Sequence, residues 1–142
     1  METSFTITAG DFSHAGQTSS EIKHILKRLN IPPKVIKRVV IALYEAEVNI
    51  AAHSYGGTIT CSITSEKISI FASDTGPGIP DIELAMSEGY STASDEVRER
   101  GFGAGMGLPN IKKNCDTLTV ESSPETGTAI TMSVTISGAD RE

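Results

Sequence analysis

Two glycine-rich segments decide how this chain folds: Asp74-Thr-Gly-Pro-Gly-Ile79 and Gly101-Phe-Gly-Ala-Gly-Met-Gly-Leu-Pro-Asn110. The first follows alternating apolar residues that begin at Ile68, a pattern typical of a strand ending in a turn. An acid at the end of a strand, followed by glycines, lets the backbone come close to a flat polar ligand. The second segment has glycines at alternate positions and leads into a helix, whose free N–H groups and dipole suit phosphate. Together the two segments predict a nucleotide pocket.

Two common nucleotide motifs are absent from the sequence. No Gly-x-x-x-x-Gly-Lys-Ser/Thr occurs, which excludes a P-loop. A dinucleotide fingerprint needs a hydrophobic strand directly before the glycines, and Asp95-Glu-Val-Arg-Glu-Arg100 makes a poor strand. Since a glycine-rich turn alone is most often only a turn, the prediction needs support from a third segment.

That third segment is the helix predicted from Pro33 to His53. Apolar residues recur there at three- and four-residue steps between positions 35 and 50, as in an amphipathic helix. Glu45, Asn49 and His53 follow one another at four-residue steps, so they lie along a single ridge. A carboxylate, an amide and an imidazole in one row could hold a metal-bound phosphate chain.

The three segments resemble the motifs of the GHKL superfamily (gyrase, Hsp90, histidine kinase, MutL). Glu45-x-x-x-Asn49 looks like its N box, and Asp74-x-Gly-Pro-Gly78 is similar to its G1 box. Gly103-x-Gly-x-Gly107 resembles the G2 box, and Gly127-Thr128 resembles the closing Gly-Thr motif. The resemblance implies the Bergerat ATP-binding fold, with ATP and Mg²⁺ as cofactors.

Within that superfamily, Pro80–Thr92 and Gly105-x-Gly-Leu-Pro-x-x-Lys112 resemble the switch serine/threonine kinases of bacterial partner-switching pathways. The Asn49-x-x-x-His53 ending is more like the anti-sigma-factor kinases of the same group. The resemblance implies an ATP-dependent serine/threonine protein kinase that phosphorylates a STAS-type anti-anti-sigma protein. A sigma factor is the other expected partner. The alternative left open is a nucleotide-gated, anti-sigma-type binding module that has no essential turnover.

The residues expected around the base are led by Asp74. A carboxylate accepts a hydrogen bond from the exocyclic amine of adenine, whereas guanine offers a carbonyl oxygen there. The other role open to Asp74 is to cap its own turn. Thr128 is expected to support the same base through a water, or else to be an ordinary strand threonine. The resemblance places further ATP contacts at the glycine-rich segments: Gly76, Gly78, Ile79, Gly103, Gly105, Met106, Gly107 and Leu108.

The residues expected around the phosphates lie mainly on the long helix. Asn49 is expected to bind Mg²⁺ through its amide oxygen, or else to bond the backbone. Glu45, one turn earlier, is expected to be the catalytic residue beside the γ-phosphate, where it orients or deprotonates the nucleophile, or else to be a surface glutamate. His53 either lies near the phosphates or caps the end of the helix. Glu47 points to another face and is expected to be a surface glutamate, while Arg100 is the preferred lid cation.

The length of 142 residues predicts one domain spanning residues 1–142. The expected helices and strands, with no internal repeat or linker, predict an α/β two-layer sandwich with helices on one face of a mixed, mostly antiparallel sheet. A net charge of −6 argues against a nucleic-acid partner and gives no support to membrane binding. The chain has no apolar run of bilayer length, no signal-peptide pattern and only two cysteines without metal-ligand spacing. We therefore expect a cytoplasmic protein, and leave open whether it forms a homodimer.

The expected elements follow from periodicity, prolines and turn residues. An edge strand is predicted at Ser4–Thr8, and Ser19 or Ser20 is the predicted N-cap of a helix that runs to Leu29. Polar residues and alternate glycines in Ser87–Gly107 predict a lid that ATP and Mg²⁺ bring into order. The other expected elements are helices at Pro33–His53, Pro80–Met86 and Leu108–Asn114, and strands at Thr58–Thr64, Lys67–Ser73, Asp116–Glu121 and Thr128–Ile136.

Overall fold

The fold is seen in a computed structural model that describes residues 1–10, 16–76, 107–123 and 127–136, without the side chains of residues 52, 53 and 107. The helix predicted at Pro80–Met86 and nearly all of the lid lie outside these residues. The elements, in chain order, are β1 (Glu2–Ile7), α1 (Gln17–Arg28), α2 (Pro33–His53), β2 (Gly57–Ile63), β3 (Lys67–Asp74), α3 (Gly107–Asn114), β4 (Thr117–Ser123) and β5 (Gly127–Thr135).

The strands form one five-stranded sheet in the order β1-β2-β3-β5-β4. Every neighbouring pair of the described strands is antiparallel. β1 lies at one edge, as its weak alternation predicted, and pairs only with β2 among the described strands. The predicted α/β sandwich with a mostly antiparallel sheet is therefore confirmed. The described part of the sheet contains no parallel pair.

One face of the sheet is covered by the three helices and forms the core. Buried residues alternate along the strands, because successive side chains point to opposite faces. Ile, Val, Leu and Ala make up most of the core, with Met132 and Cys61 added. Burying one such aliphatic side chain contributes about 1.5–3 kcal/mol. The strand residues on the helix face include Ile59, Cys61 and Ile63 of β2, Ile68, Ile70 and Ala72 of β3, and Ile130, Met132 and Val134 of β5.

The helical layer is organised around α2, which packs against both α1 and α3 and contacts the sheet. Its observed bounds, Pro33–His53, agree with the prediction. Pro33 stands at the start of the helix, where a missing N–H costs nothing. At the other end the Ser54 hydroxyl donates a hydrogen bond to the Ile50 carbonyl oxygen at 2.6 Å. The helix that carries the predicted ridge is thus held on both sides by its neighbours and at its C-terminal end by Ser54.

The start of α1 corrects two predictions. Glu47 is not a surface glutamate: its residue is only 3% exposed, and its carboxylate accepts hydrogen bonds from the backbone N–H groups of Gly16, Thr18 and Ser19. The N-cap is Gly16, with a φ of 93°, rather than Ser19 or Ser20. The physical reason is packing, because α2 places an acceptor where the first N–H groups of α1 have no partner within their own helix.

Candidate nucleotide site

Asp74 lies at the end of β3, between β2 and β5. Its Oδ1 atom accepts a hydrogen bond from the backbone N–H of Thr128 at 3.0 Å. Burial raises the pKa of Asp74, and the hydrogen bond from Thr128 partly offsets that rise. Oδ2 makes no hydrogen bond within the described part of the chain. One carboxylate oxygen is therefore held by the sheet, and the other can accept a hydrogen bond from a ligand.

The contact to Thr128 was not foreseen, because the sequence pointed to its side chain rather than to its backbone. The Thr128 hydroxyl lies 3.0 Å from the Ser122 hydroxyl on β4. Its contact with a base through water stays a prediction. The structure shows in addition that the backbone N–H of Thr128 orients the Asp74 carboxylate.

Two glycines pack directly against Asp74, one from each neighbouring strand. Gly57 is its register partner on β2, and a Cβ atom there would lie 2.9 Å from the Asp74 Cβ atom. Gly127, with a φ of 86°, would place a Cβ atom 3.0 Å from Asp74 Oδ1 and against the Asp74 carbonyl oxygen. A side chain at either position would displace the acid. The residues predicted for the site did not include Gly57.

The backbone after Asp74 is tied to the end of α2. The Tyr55 N–H donates to the Thr75 carbonyl oxygen at 2.8 Å, and the Thr75 N–H donates to the Gly56 carbonyl oxygen at 3.1 Å. Gly76, which is predicted to contact the nucleotide, lies close to Ser54. A Cβ atom added at Gly76 would be 3.1 Å from the Ser54 Cα atom. The strand end that carries the acid therefore abuts the C-terminal end of the helix that carries Glu45 and Asn49.

Glu45 and Asn49 are both partly buried on α2, one turn apart. Glu45 Oε1 accepts a hydrogen bond from Asn110 Nδ2 on α3 at 3.3 Å. Burial raises the pKa of Glu45, and the hydrogen bond from Asn110 acts in the opposite direction. Asn110 was not among the predicted site residues, because nothing in the motif pattern indicates that it faces α2.

The start of α3 completes the described part of the site. Gly107 is the first residue of the helix and Leu108 is buried against the core. Because Asn110 reaches Glu45, the first turn of α3 lies beside the middle of α2. A helix N-terminus offers free N–H groups and the positive end of its dipole, which favour phosphate.

Several predicted ligand residues lie outside the described residues, so their roles stay predictions. They are Gly78, Ile79, Arg100, Gly103, Gly105 and Met106, together with the side chain of His53. Within the described part of the chain, no group of three His, Cys, Asp or Glu side chains is placed to hold a metal ion.

Comparison with known proteins decides the family. The family described as histidine kinase-, DNA gyrase B-, and HSP90-like ATPase matches residues 34–137, a range that contains every residue of the candidate site. The chain belongs to this ATPase family. The resemblance noted from the sequence motifs is thereby confirmed, and ATP binding follows from membership of the ATPase family.

The chain is similar to proteins named as an anti-sigma factor and as a serine/threonine-protein kinase. The chain is 37% identical over 111 residues to an anti-sigma F factor of Thermoanaerobacter sp. (strain X514), covering 75% of this chain and 73% of the relative. It is 30% identical over 112 residues to the serine/threonine-protein kinase RsbT of Bacillus subtilis (strain 168), covering 76% of this chain and 78% of the relative. Among the helices that the structure describes, none is long and apolar enough to cross a membrane.

A more distant relative shows how far the similarity extends. The adaptive-response sensory kinase SasA of Synechococcus sp. (strain JA-3-3Ab) is 31% identical over 97 residues, which cover 65% of this chain but only 25% of the relative. The chain and that larger protein therefore share one segment, which is about as long as the region that the family matches.

Proposed function

We propose that this chain is an ATP-dependent serine/threonine protein kinase of a sigma-factor partner-switching pathway, acting in the cytoplasm on a STAS-type anti-anti-sigma protein. The observation that carries the proposal is Glu45: a partly buried carboxylate with a raised pKa, held by Asn110 and one turn from Asn49. The similarity to proteins named anti-sigma F factor and serine/threonine-protein kinase RsbT supports the same pathway class.

The proposed recognition of ATP begins at Asp74. Its Oδ2 atom accepts a hydrogen bond from the exocyclic amine of adenine while Oδ1 stays bonded to the Thr128 N–H. The two glycines beside Asp74 keep both neighbouring strands clear of the carboxylate. Guanine presents a carbonyl oxygen at the corresponding position, which a carboxylate repels. The site therefore favours ATP over GTP.

The proposed phosphate region uses α2 and α3. Asn49 would hold Mg²⁺ through its amide oxygen, together with phosphate oxygens and water. When bound, Mg²⁺ would neutralise charge that develops on the phosphates during transfer. The backbone at Gly107 and Leu108 donates N–H groups at the start of α3. The donors present fit a magnesium nucleotide, and those in the described ranges do not form a metal site by themselves.

Glu45 is the proposed catalytic base. It accepts the proton of the serine or threonine hydroxyl as that oxygen forms a bond to the γ-phosphorus and the bond to the ADP oxygen breaks. Burial raises the pKa of Glu45, which makes the carboxylate a better proton acceptor than a fully hydrated one. Its bond to Asn110 keeps the ionised form available, since the amide donates to it.

The second candidate is an anti-sigma-type module that binds its partner under the control of nucleotide and needs no turnover. The observation that favours it is the 37% identity to a protein named anti-sigma F factor. In this case a sigma factor is the partner, and Glu45 has no catalytic task. The two candidates therefore differ in what a change at Glu45 does.

The proposal is tested by incubating the protein with Mg²⁺, labelled ATP and a STAS-domain protein encoded by a neighbouring gene. Wild-type protein should transfer label to a serine or threonine of the partner. Glu45→Gln should abolish transfer and leave ATP and partner binding unchanged. Glu66→Gln, in the exposed turn between β2 and β3, is the matched control and should transfer label normally. Tight ATP binding without any transfer by the wild type would favour the binding module.

A further inference from the structure

The contact between α2 and α3 joins two parts of the nucleotide site. Asn110 Nδ2 lies 3.3 Å from Glu45 Oε1, although the two residues are 65 positions apart in the chain. Both residues are partly buried, so the bond is shielded from much of the solvent. A carboxylate can only accept hydrogen bonds, which means that the Asn110 amide must present its NH₂ group to Glu45. The direction of the contact is therefore determined by its chemistry.

The backbone that carries Asn110 is itself fixed. The Asn114 side-chain amide donates to the Asn110 carbonyl oxygen at 2.8 Å, inside the last turn of α3. Ile111, the next residue, is fully buried against the core. Asn110 thus extends from an anchored helix, whereas Glu45 is a flexible side chain with three rotatable bonds. A bond from the anchored donor selects one orientation of the flexible acceptor.

We infer that Asn110 is a positioning residue for Glu45, a role that rests on the proposed kinase function. The bond also links two steps of that function, since α3 begins at Gly107, where the phosphates are proposed to bind. The Glu45 carboxylate therefore keeps this orientation as long as α3 packs against α2.

The contact is tested first by NMR on the nucleotide-free protein, with the side-chain amide signals of Asn110 and Asn114 assigned. Glu45→Gln should shift the Asn110 signal, because a charged acceptor deshields the donated proton more than a neutral one. It should leave the Asn114 signal in place, since that amide bonds to a carbonyl oxygen of its own helix. An unchanged Asn110 signal, or equal shifts of both signals, overturns the inference.

The positioning role is tested by phosphotransfer kinetics. Asn110→Leu removes the amide at similar volume, and Asn110→Asp keeps the shape but offers only acceptors at neutral pH. Each should lower kcat about tenfold, as expected for a lost hydrogen bond to a charged group. The KM for ATP should stay within about twofold, because Asn110 does not contact the nucleotide in this scheme. Lys113→Ala, at an exposed position of the same helix, is the control and should retain the wild-type kcat.

Two kinetic results would contradict the positioning role of Asn110. If Lys113→Ala lowers kcat as much as Asn110→Leu does, the effect comes from the helix as a whole and the inference is wrong. If Asn110→Leu acts on the KM for ATP instead of kcat, Asn110 belongs to nucleotide binding and does not position the base. If the wild type binds ATP but transfers no phosphate, the proposed kinase function fails, and the amide signals alone decide whether Asn110 holds Glu45.

Discussion

Glu47→Gln tests the idea that a buried carboxylate of α2 holds the start of α1. Glu47 Oε2 accepts hydrogen bonds from the N–H groups of Gly16 at 3.0 Å and Thr18 at 3.3 Å, and Oε1 accepts one from Ser19 at 3.3 Å. Glutamine has the same size but only one acceptor oxygen. Whichever way its amide turns, at least one of these N–H groups loses its acceptor and faces a second donor.

The expected loss of stability follows from these contacts. An unsatisfied buried N–H costs about 1–3 kcal/mol. Removing a negative charge from a helix N-terminus costs about 0.3–1 kcal/mol more. Burial raises the pKa of Glu47, which means that the ionised side chain is itself expensive to bury, and the neutral amide avoids this cost. The net decrease in the free energy of unfolding should therefore be about 2 kcal/mol.

Urea denaturation at pH 7, followed by circular dichroism, measures this change. With a slope of about 2 kcal/mol per molar urea, the midpoint should fall by about 1 M. Glu45→Gln is the matched control, because the glutamine oxygen can still accept the hydrogen bond from Asn110 and the site is partly exposed. Its midpoint should stay close to that of the wild type. A Glu47→Gln midpoint equal to the wild-type midpoint would refute the reasoning.

Two further predictions concern ATP affinity and pH dependence. Gly127→Ala places a side chain at a φ of 86°, where it would press against Asp74, the carboxylate proposed to bind adenine. The variant should bind ATP at least about tenfold more weakly in calorimetry. Gly10→Ala, at a φ of 75° with open space around its added Cβ atom, should bind ATP like the wild type, and equal losses would contradict the explanation. Asp116→Asn should lower stability by about 1 kcal/mol at pH 7, after allowance for solvent screening. The hydrogen bond from the Thr135 N–H is the main cause of the lowered pKa of Asp116. The ionised Asp116 carboxylate therefore stabilises the folded state fully above the ordinary carboxyl pKa, and this stabilisation is lost as pH falls through the folded-state pKa. Thermal unfolding at pH 7 and pH 3 should show the penalty shrinking in acid, and a penalty independent of pH would contradict that assignment.

The sequence predicted α2 well because its signals are local. The apolar stripe repeats every three to four residues, a proline opens the helix, and Ser54 and two glycines follow it. The strands were predicted to within one or two residues for the same reason, since alternation and turn residues lie next to one another in the chain. Asp74 could likewise be recognised as the acid at a strand end before its neighbours were known.

The missed features depend on residues that are distant in the chain. Glu47 looks like any helix glutamate until α1 packs against it from about 30 positions away. Asn110 lies 65 positions from Glu45, and no spacing rule connects them. In the sequence Gly57 indicates only a helix stop, whereas its cross-strand register with Asp74 shows why a side chain does not fit there. Contacts of this kind follow from tertiary packing, which local patterns do not encode.

The two carboxylates of α2 limit how this helix can vary in evolution and in design. Glu45 faces α3, and Glu47, only two residues later, faces α1. Successive helix positions differ by about 100°, so one inserted or deleted residue between them would turn one carboxylate away from its partner. Rotating α2 as a whole would not restore both contacts. Insertions should therefore be tolerated in the β2–β3 turn far better than in residues 45–47, and a deep mutational scan would show this contrast directly.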